Sequence, residues 1–296
     1  MQITATMVKE LRGRTGSGMM ECKKALTESA GDMEAAVGQM RKSGQAKADK
    51  KAGRVAADGT ITIAVTVDAM QASIVEVNCE TDFVAKDNNF QTFSKQLAEV
   101  VLAGDVNTVD ELGAVMLDSG QSVEQTRLEL VTKIGENIQV RRFKKINNQG
   151  AVVAYSHGSR IGVLVDLAGG DAALGKDIAM HIAASNPTCI SEQDVPADLL
   201  AKEKEIFIAQ AESSGKPPEI IEKMVQGKLN KHLKEITLLG QPFVKDQDIT
   251  IANLLKNAEA SVAKFIRYEV GEGIEKRSEN FADEVNKQIK QSEDQR

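Results

Sequence analysis

The chain of 296 residues is 42% hydrophobic and 27% charged, with a net charge of −6. Such usage supports buried cores and excludes a disordered protein, and the length allows two or three compact units because single cores stop growing near ~250 residues. Charge is uneven: residues 1–54 carry eleven Lys/Arg against six Asp/Glu, a net of +5, which leaves −11 for the remainder.

Met7, Val8 and Leu11 fall on one helical face within residues 4–14, and Met19, Cys22, Ala25 and Leu26 repeat the device within residues 19–29. Gly31 suits a helix C-terminus and Asp32 the next N-cap, after which Met33, Ala36, Val37 and Met40 continue the period. These three helices make a miniature domain. Arg41 to Arg54 then holds six basic residues, one acid and two glycines without a sustained apolar face, as expected of a solvated linker, with helix allowed over part of it.

From Gly59 the period becomes two. Ile61, Ile63, Val65 and Val67 alternate with polar or small residues, and Ser73 to Val77 predicts a second strand across a turn at Asp68 to Ala72. Phe90, Phe93, Leu97, Val100 and Val101 predict a helix lying on that sheet. The same order returns at Ala151 to Tyr155, Ile161 to Val165 and the helical Ile178, His181 and Ile182, which suggests a duplication and two packed α+β subdomains. Between Val195 and Ile236 two helical patterns flank a Ser213 to Pro218 break, predicting an inserted antiparallel hairpin. Phe265 to Val270 predicts a strand that returns the chain to the sheet, and Glu275 to Arg296 a polar helix whose only apolar stripe is Phe281, Val285 and Ile289.

The expected fold class is therefore α+β. Its parts are a three-helix module with linker at 1–54, a first α+β subdomain at 55–145, a second at 146–274 carrying the hairpin at about 195–236, and a C-terminal helical module at 275–296.

No G-x-x-x-x-G-K-[ST] sequence occurs, and Gly13 to Gly18 lacks the preceding strand and following lysine of a phosphate cradle. His157, His181 and His232 are isolated, and no His or Cys pair has zinc-site spacing. No local motif sets a nucleophile beside a base, although a triad can assemble from distant residues. The expectation is a protein with no nucleotide, metal or covalent chemistry of its own. Met1 to Glu10 lacks the basic and apolar regions of a secretory signal, and no apolar run approaches the ~20 residues of a membrane span. Cys22, Cys79 and Cys189 are odd in number and far apart, which suits packed thiols in a reducing cytoplasm. Residues 1–54 contain no Phe, Tyr or Trp on which bases could stack, so an acidic protein surface is a better match than nucleic acid.

Several segments carry a resemblance. Thr15-Gly16-Ser17-Gly18-Met19-Met20-Glu21-Cys22-Lys23-Lys24-Ala25-Leu26 is similar to the N-terminal signature of the elongation factor Ts family, and Asn78-Cys79-Glu80-Thr81-Asp82-Phe83-Val84-Ala85-Lys86 to its T-D-F-V segment. Lys51 to Gly59, His157 to Leu164, Gly240 to Val244 and Arg267 to Glu275 resemble further family segments in the same order. Agreement is weakest at 103–127 and after 276.

The resemblance implies a long-form elongation factor Ts, with a ubiquitin-associated-like N-terminal module, that binds elongation factor Tu and promotes GDP release without covalent chemistry. Mg²⁺ and GDP or GTP would be held by that partner, so no cofactor is expected here. By the same resemblance Thr81, Asp82, Phe83 and Val84 form the exchange segment: Phe83 acts as a wedge and Asp82 disturbs polar contacts beside the partner's Mg²⁺ and phosphates. On the residues alone the favoured reading is that Asp82 N-caps a helix while Phe83 packs in its own core. Arg12, Met19 and Met20 match positions that grip the partner's nucleotide-binding domain, although Met19 also fits a core position. His157 matches a contact with another partner domain, and Phe281 belongs to a C-terminal module that docks on the partner. In long-form relatives the hairpin is implicated in self-association, which leaves a homodimer as an open expectation.

Three other readings stay open on residues alone. An RNA- or ribosome-binding protein using Arg41 to Arg54 would bind with steep salt dependence. A small-molecule enzyme would be stabilised by its ligand without a protein partner. A scaffold that binds the GTPase without weakening nucleotide would differ only in kinetics.

Overall fold

The computed structural model describes residues 3–15, 17–147, 151–212 and 217–275, and the chain is mixed α+β. Phe281, Val285 and Ile289 lie outside the described residues.

Helices α1 (Ala5–Thr15) and α2 (Met19–Glu28) and the first turns of α3 (Met33–Ala52) enclose Val8, Leu11, Cys22, Ala25, Leu26 and Ala36. Asp32 caps α3 by accepting from the Ala35 N–H at 3.0 Å. Two expectations are corrected in this module. Met19 is 59% exposed and outside the small core. A helical side chain covers the turn N-terminal to its own Cα, and the first residue of α2 has no such turn. The supposed solvated linker is instead a continuation of α3, unbroken to Ala52. A stripe of small residues takes the place of large apolar ones: Ala48 is buried against the main core, and a Cβ on Gly44 would sit 3.1 Å from Thr132 Oγ1.

Strands β1 (Asp58–Val65) and β2 (Gln71–Cys79) pair antiparallel, so the turn lies two residues earlier than expected, at Thr66 to Met70: Val67 belongs to the turn, and Gln71 and Ala72 already belong to β2. The one-turn α4 (Asp82–Ala85) leads into α5 (Asn88–Ala103), which lays Phe90, Phe93, Leu97 and Val101 on the sheet. Three elements escaped the sequence reading. Helices α6 (Val109–Ala114) and α7 (Val123–Ile134) each begin with a capping box, Thr108 with Glu111 and Ser122 with Gln125. Strand β3 (Gln139–Asn147) then pairs with β2. Its register steps from Val77↔Val140 to Glu76↔Arg142, so Arg141 is the extra residue of a bulge that breaks the alternation.

The second half opens with β4 (Ala151–His157), β5 (Ile161–Ala168) and α8 (Ala172–Ser185). Helices α9 (Ala197–Glu212) and α10 (Pro218–Ile236) pair as a hairpin through Ala211, Val225, Leu229 and Leu233. Its neck is closed where the Leu238 N–H bonds the Cys189 carbonyl and the Leu239 N–H that of Ile190, both at 2.9 Å. A small ladder of β6 (Pro242–Phe243) and β7 (Asp246–Thr250) and the short α11 (Ile251–Asn257), none of them expected, precede β8 (Ser261–Glu269), which completes the antiparallel order β4-β5-β8.

Period two explains how the two sheets meet. On β2, Val75, Val77 and Cys79 face the helices while Ala72 and Ile74 face the other sheet; on β5, Val163 and Val165 pack on α8 while Leu164 faces across. Both faces of each central strand are buried, which is why they read as near-continuous apolar runs. At Gly162 the sheets come so close that a Cβ would lie 2.5 Å from Ile61 Cγ2.

Glu76, fully buried, lies on this inter-sheet face. It accepts from Arg141 Nη1 at 3.0 Å, Arg142 Nε at 2.5 Å and the Gly271 N–H at 2.8 Å. Arg142 also stacks on Tyr268, 4.1 Å from the ring centroid, and burial pushes that phenol up to about 12. His181 is buried too: Nδ1 accepts from the Val244 N–H, which leaves Nε2 to donate to Gln241 Oε1 at 2.9 Å, and burial holds its pKa below the usual range.

Candidate functional site

The residues 79–86 leave the end of β2 and turn at once into α4. Thr81, not Asp82, is the N-cap: its extended backbone brings Oγ1 to accept from the Val84 N–H at 3.4 Å. A capping residue must lie outside the helix, and Asp82 is already the first helical residue. Asp82 therefore points away, paired with Lys86 at 2.7 Å one turn on, and that hydrogen bond lowers its pKa. Phe83 is 80% exposed, so it does not pack in its own core. Val84 is half-buried and Ala85 buried, and these two seat the turn on the main core.

A four-residue helix cannot hold its own shape, because the first turn fixes several dihedrals for one hydrogen bond. Here the support comes from 55 residues further along the chain. Glu136 Oε2 accepts from the backbone N–H groups of Glu80 and Thr81, each at 3.0 Å, and Oε1 accepts from the Thr81 hydroxyl at 2.7 Å. Below it, the Cys79 thiol donates to the Thr81 carbonyl at 3.1 Å. Burial, with the charges of Glu136 and Asp58, pushes that thiol up to about 12, so it keeps the proton it donates. The grip is reciprocal, since the Asn137 N–H donates to Glu80 Oε1 at 2.6 Å.

The same turn holds the end of α3. Asn137 Nδ2 donates to the carbonyls of Ala52 and Arg54, and Lys51 Nζ to that of Gly135. Gly135, at φ 91°, ends α7 in the left-handed conformation that turns the chain toward Glu136. Neither Glu136 nor Asn137 stood out in the sequence. Local spacing carries no trace of a contact closed over 55 residues.

The other residues of interest form separate patches. Arg12 is exposed on α1, and Met19 and Met20, 59% and 77% exposed, sit at the start of α2. His157 is exposed at the end of β4, its Nδ1 3.3 Å from Tyr155 Oη, beside a cavity of about 480 Å³ also lined by Ile161, Met180 and Lys245. Thr81, Asp82, Phe83 and Val84 are thus one unit, while Arg12 with the two methionines and His157 lie on other elements. Among the described residues, no cluster of three or more His, Cys, Asp or Glu could hold a metal ion, and no helix is long and apolar enough to cross a membrane.

The family profile described as Elongation factor TS matches residues 80–272, from the Glu136-held turn through β3 and the whole of the second sheet. The elongation factor Ts of Thioalkalivibrio sulfidiphilus is 62% identical over 98% of this chain and 99% of its own. That of Methylococcus capsulatus is 61% identical over 99% and 100%, and that of Legionella pneumophila 54% over 97% and 99%. With the profile and full-length relatives in agreement, the chain belongs to the elongation factor Ts family of translation elongation factors.

Proposed function

We propose that this chain is the guanine-nucleotide exchange factor of elongation factor Tu, and that it releases GDP by driving the Asp82–Phe83 turn against the partner's Mg²⁺ and phosphate region. Family membership supports the partner and the activity. The observation that carries the mechanism is Phe83, a large apolar ring left 80% exposed on a turn that is itself firmly anchored. An exposed ring on a fixed base has a standing cost in water that docking would recover.

Exchange is a matter of linkage. A factor that binds the nucleotide-free partner more tightly than the GDP form weakens GDP by the same ratio. Moving an equilibrium from 1:99 to 99:1 takes ~5.5 kcal/mol of differential binding, whereas burying one Phe supplies ~1.5–3 kcal/mol. Phe83 therefore shares the work with a wider interface, of the order of ~1,600 Å². Arg12, Met19 and Met20 on the three-helix module and His157 on the second sheet are further contacts, and Phe281, which lies outside the described residues, is another by resemblance. The flexible methionine pair suits an adaptable apolar contact. Asp82 enters paired with Lys86, so its approach to a metal site trades one exposed pair for another charge contact. GDP, GTP and Mg²⁺ belong to the partner in this scheme, and the chain acts in the cytoplasm, as a monomer or as a dimer through α9 and α10, without nucleic acid or membrane.

The test is release of fluorescent GDP from elongation factor Tu into excess unlabelled GDP, with this protein and with Phe83→Ala. Fast release that slows in the variant supports both activity and wedge. Equal acceleration by both keeps the activity and rejects Phe83, and no acceleration by the folded protein rejects the activity.

A further inference from the structure

We propose that Glu136 is the positioning residue of the exchange segment: its carboxylate presets the turn that carries Asp82 and Phe83, so that the ring meets the partner already oriented. The inference rests on the reading of Phe83 as the exchange residue.

Three features support it. The first is geometry: one carboxylate takes three donors from two consecutive residues, Glu80 N–H, Thr81 N–H and Thr81 Oγ1–H, at 3.0, 3.0 and 2.7 Å. The Thr81 hydroxyl that donates to Glu136 also accepts from the Val84 N–H, so the anchor and the helix cap are links of one chain of hydrogen bonds. The second is what the anchor replaces. Phe83 and Asp82 lie on the exposed side of a single turn, and ring packing within the chain cannot fix them. Without a hold at its base such a turn frays, and docking must then bear the cost of ordering it. The third is the reference frame. Residues 135–137 end α7 and, through Asn137 and Lys51, also bind the last turn of α3. The Phe83 turn and the helix bearing the Met19–Met20 module are thereby located from the same three residues.

The experiment compares this protein with Glu136→Ala, Glu136→Gln, Phe83→Ala and the Glu136→Ala/Phe83→Ala double variant, each checked for folding by circular dichroism and urea unfolding. GDP release from elongation factor Tu is followed over a range of factor concentrations, separating the maximal rate from the half-saturating concentration. Glu136→Ala is expected to lower the maximal rate by about 10-fold, within the ~100-fold that a 1 Å misplacement can cost, with a smaller change in half-saturation because the other contacts remain. Glu136→Gln is expected to keep most of the rate, since its carbonyl still accepts both N–H groups and its amide donates to Thr81 Oγ1. In the Phe83→Ala background, Glu136→Ala is expected to add much less than it costs alone, since only Asp82 is then left to position.

A folded Glu136→Ala with an unchanged maximal rate overturns the proposal, as does a full additional loss in the double variant, which would mean that Glu136 acts elsewhere than through Phe83. If Glu136→Ala does not fold, Thr81→Val removes the hydroxyl that links Glu136 to the Val84 cap and leaves both backbone N–H bonds to Glu136 in place, and the same two outcomes decide. Failure of the unaltered protein to accelerate release, or of Phe83→Ala to slow it, overturns the underlying reading and this one with it, and neither outcome involves a change at Glu136.

Discussion

Glu76 and Glu136 anchor two parts of the molecule by contrasting means. Glu76 is fully buried between the sheets, where it meets two guanidinium groups and the Gly271 N–H. Glu136 is only half-buried and takes backbone N–H groups and a hydroxyl, all from the base of one projecting turn. The first joins elements far apart in sequence into a common core. The second stiffens an element that contributes little to that core and leaves its largest side chain in water. A carboxylate can thus serve cohesion or presentation, and its donors and surroundings decide which.

The contrast makes graded predictions for stability, each read from the midpoint of urea unfolding. Glu76→Ala has the largest effect. Removing one member of a buried ion pair costs ~3–5 kcal/mol, and the low end, ~3 kcal/mol, is expected because Arg141 and Arg142 retain some contact with water. A loss below ~1 kcal/mol would mean that the clasp is dispensable. Gly162→Ala comes next. Its added methyl presses on the Cγ2 of Ile61, which is held on the branched Cβ, and on the flexible Cδ1 ends of Ile74 and Ile63, and overpacking of this kind costs ~1–3 kcal/mol. No loss would mean that the sheets can separate slightly without penalty. Phe83→Ala has the smallest effect, within ~0.5 kcal/mol, as for surface positions generally. A loss comparable to that of Glu76→Ala would place the ring inside the fold and erase the contrast.

Large apolar periodicity made much of this legible in advance. Phe90, Phe93 and Leu97 on α5, the alternating residues of β1 and the helix pair α9 and α10 follow directly from it. What escaped did so for physical reasons. The second half of α3 packs through Gly44, Ala48 and Lys51, spaced four and three residues apart, and small side chains leave no hydrophobic signal even where they allow close helix contact. Strand β3 escaped because the bulge at Arg141 puts Val140 and Phe143 on one face at a spacing of three, Ile146 lies on the other face, and its basic residues suggest a surface. Helices α6 and α7 are marked most plainly at their caps, Thr108 with Glu111 and Ser122 with Gln125, since α6 is too short for an apolar period and α7 buries just Val123, Leu130 and Val131. At the candidate site the resemblance pointed to Asp82 and Phe83, and the structure adds that Phe83 is exposed. Their support by Glu136 required the fold to bring a turn 55 residues away beneath them.

The unbroken α3 has a mechanical consequence. Twenty helical residues measure about 30 Å from end to end, and the last turn is clamped at Gly135 and Asn137. The three-helix module is then carried on a boom rather than a tether. For a partner engaged at both ends, the spacer sets a nearly fixed separation between grips, so the second encounter is intramolecular and its effective concentration depends on how well the partner's two sites match that span. A rigid caliper of this kind favours one spacing and one relative orientation, and it penalises a partner whose sites have moved apart.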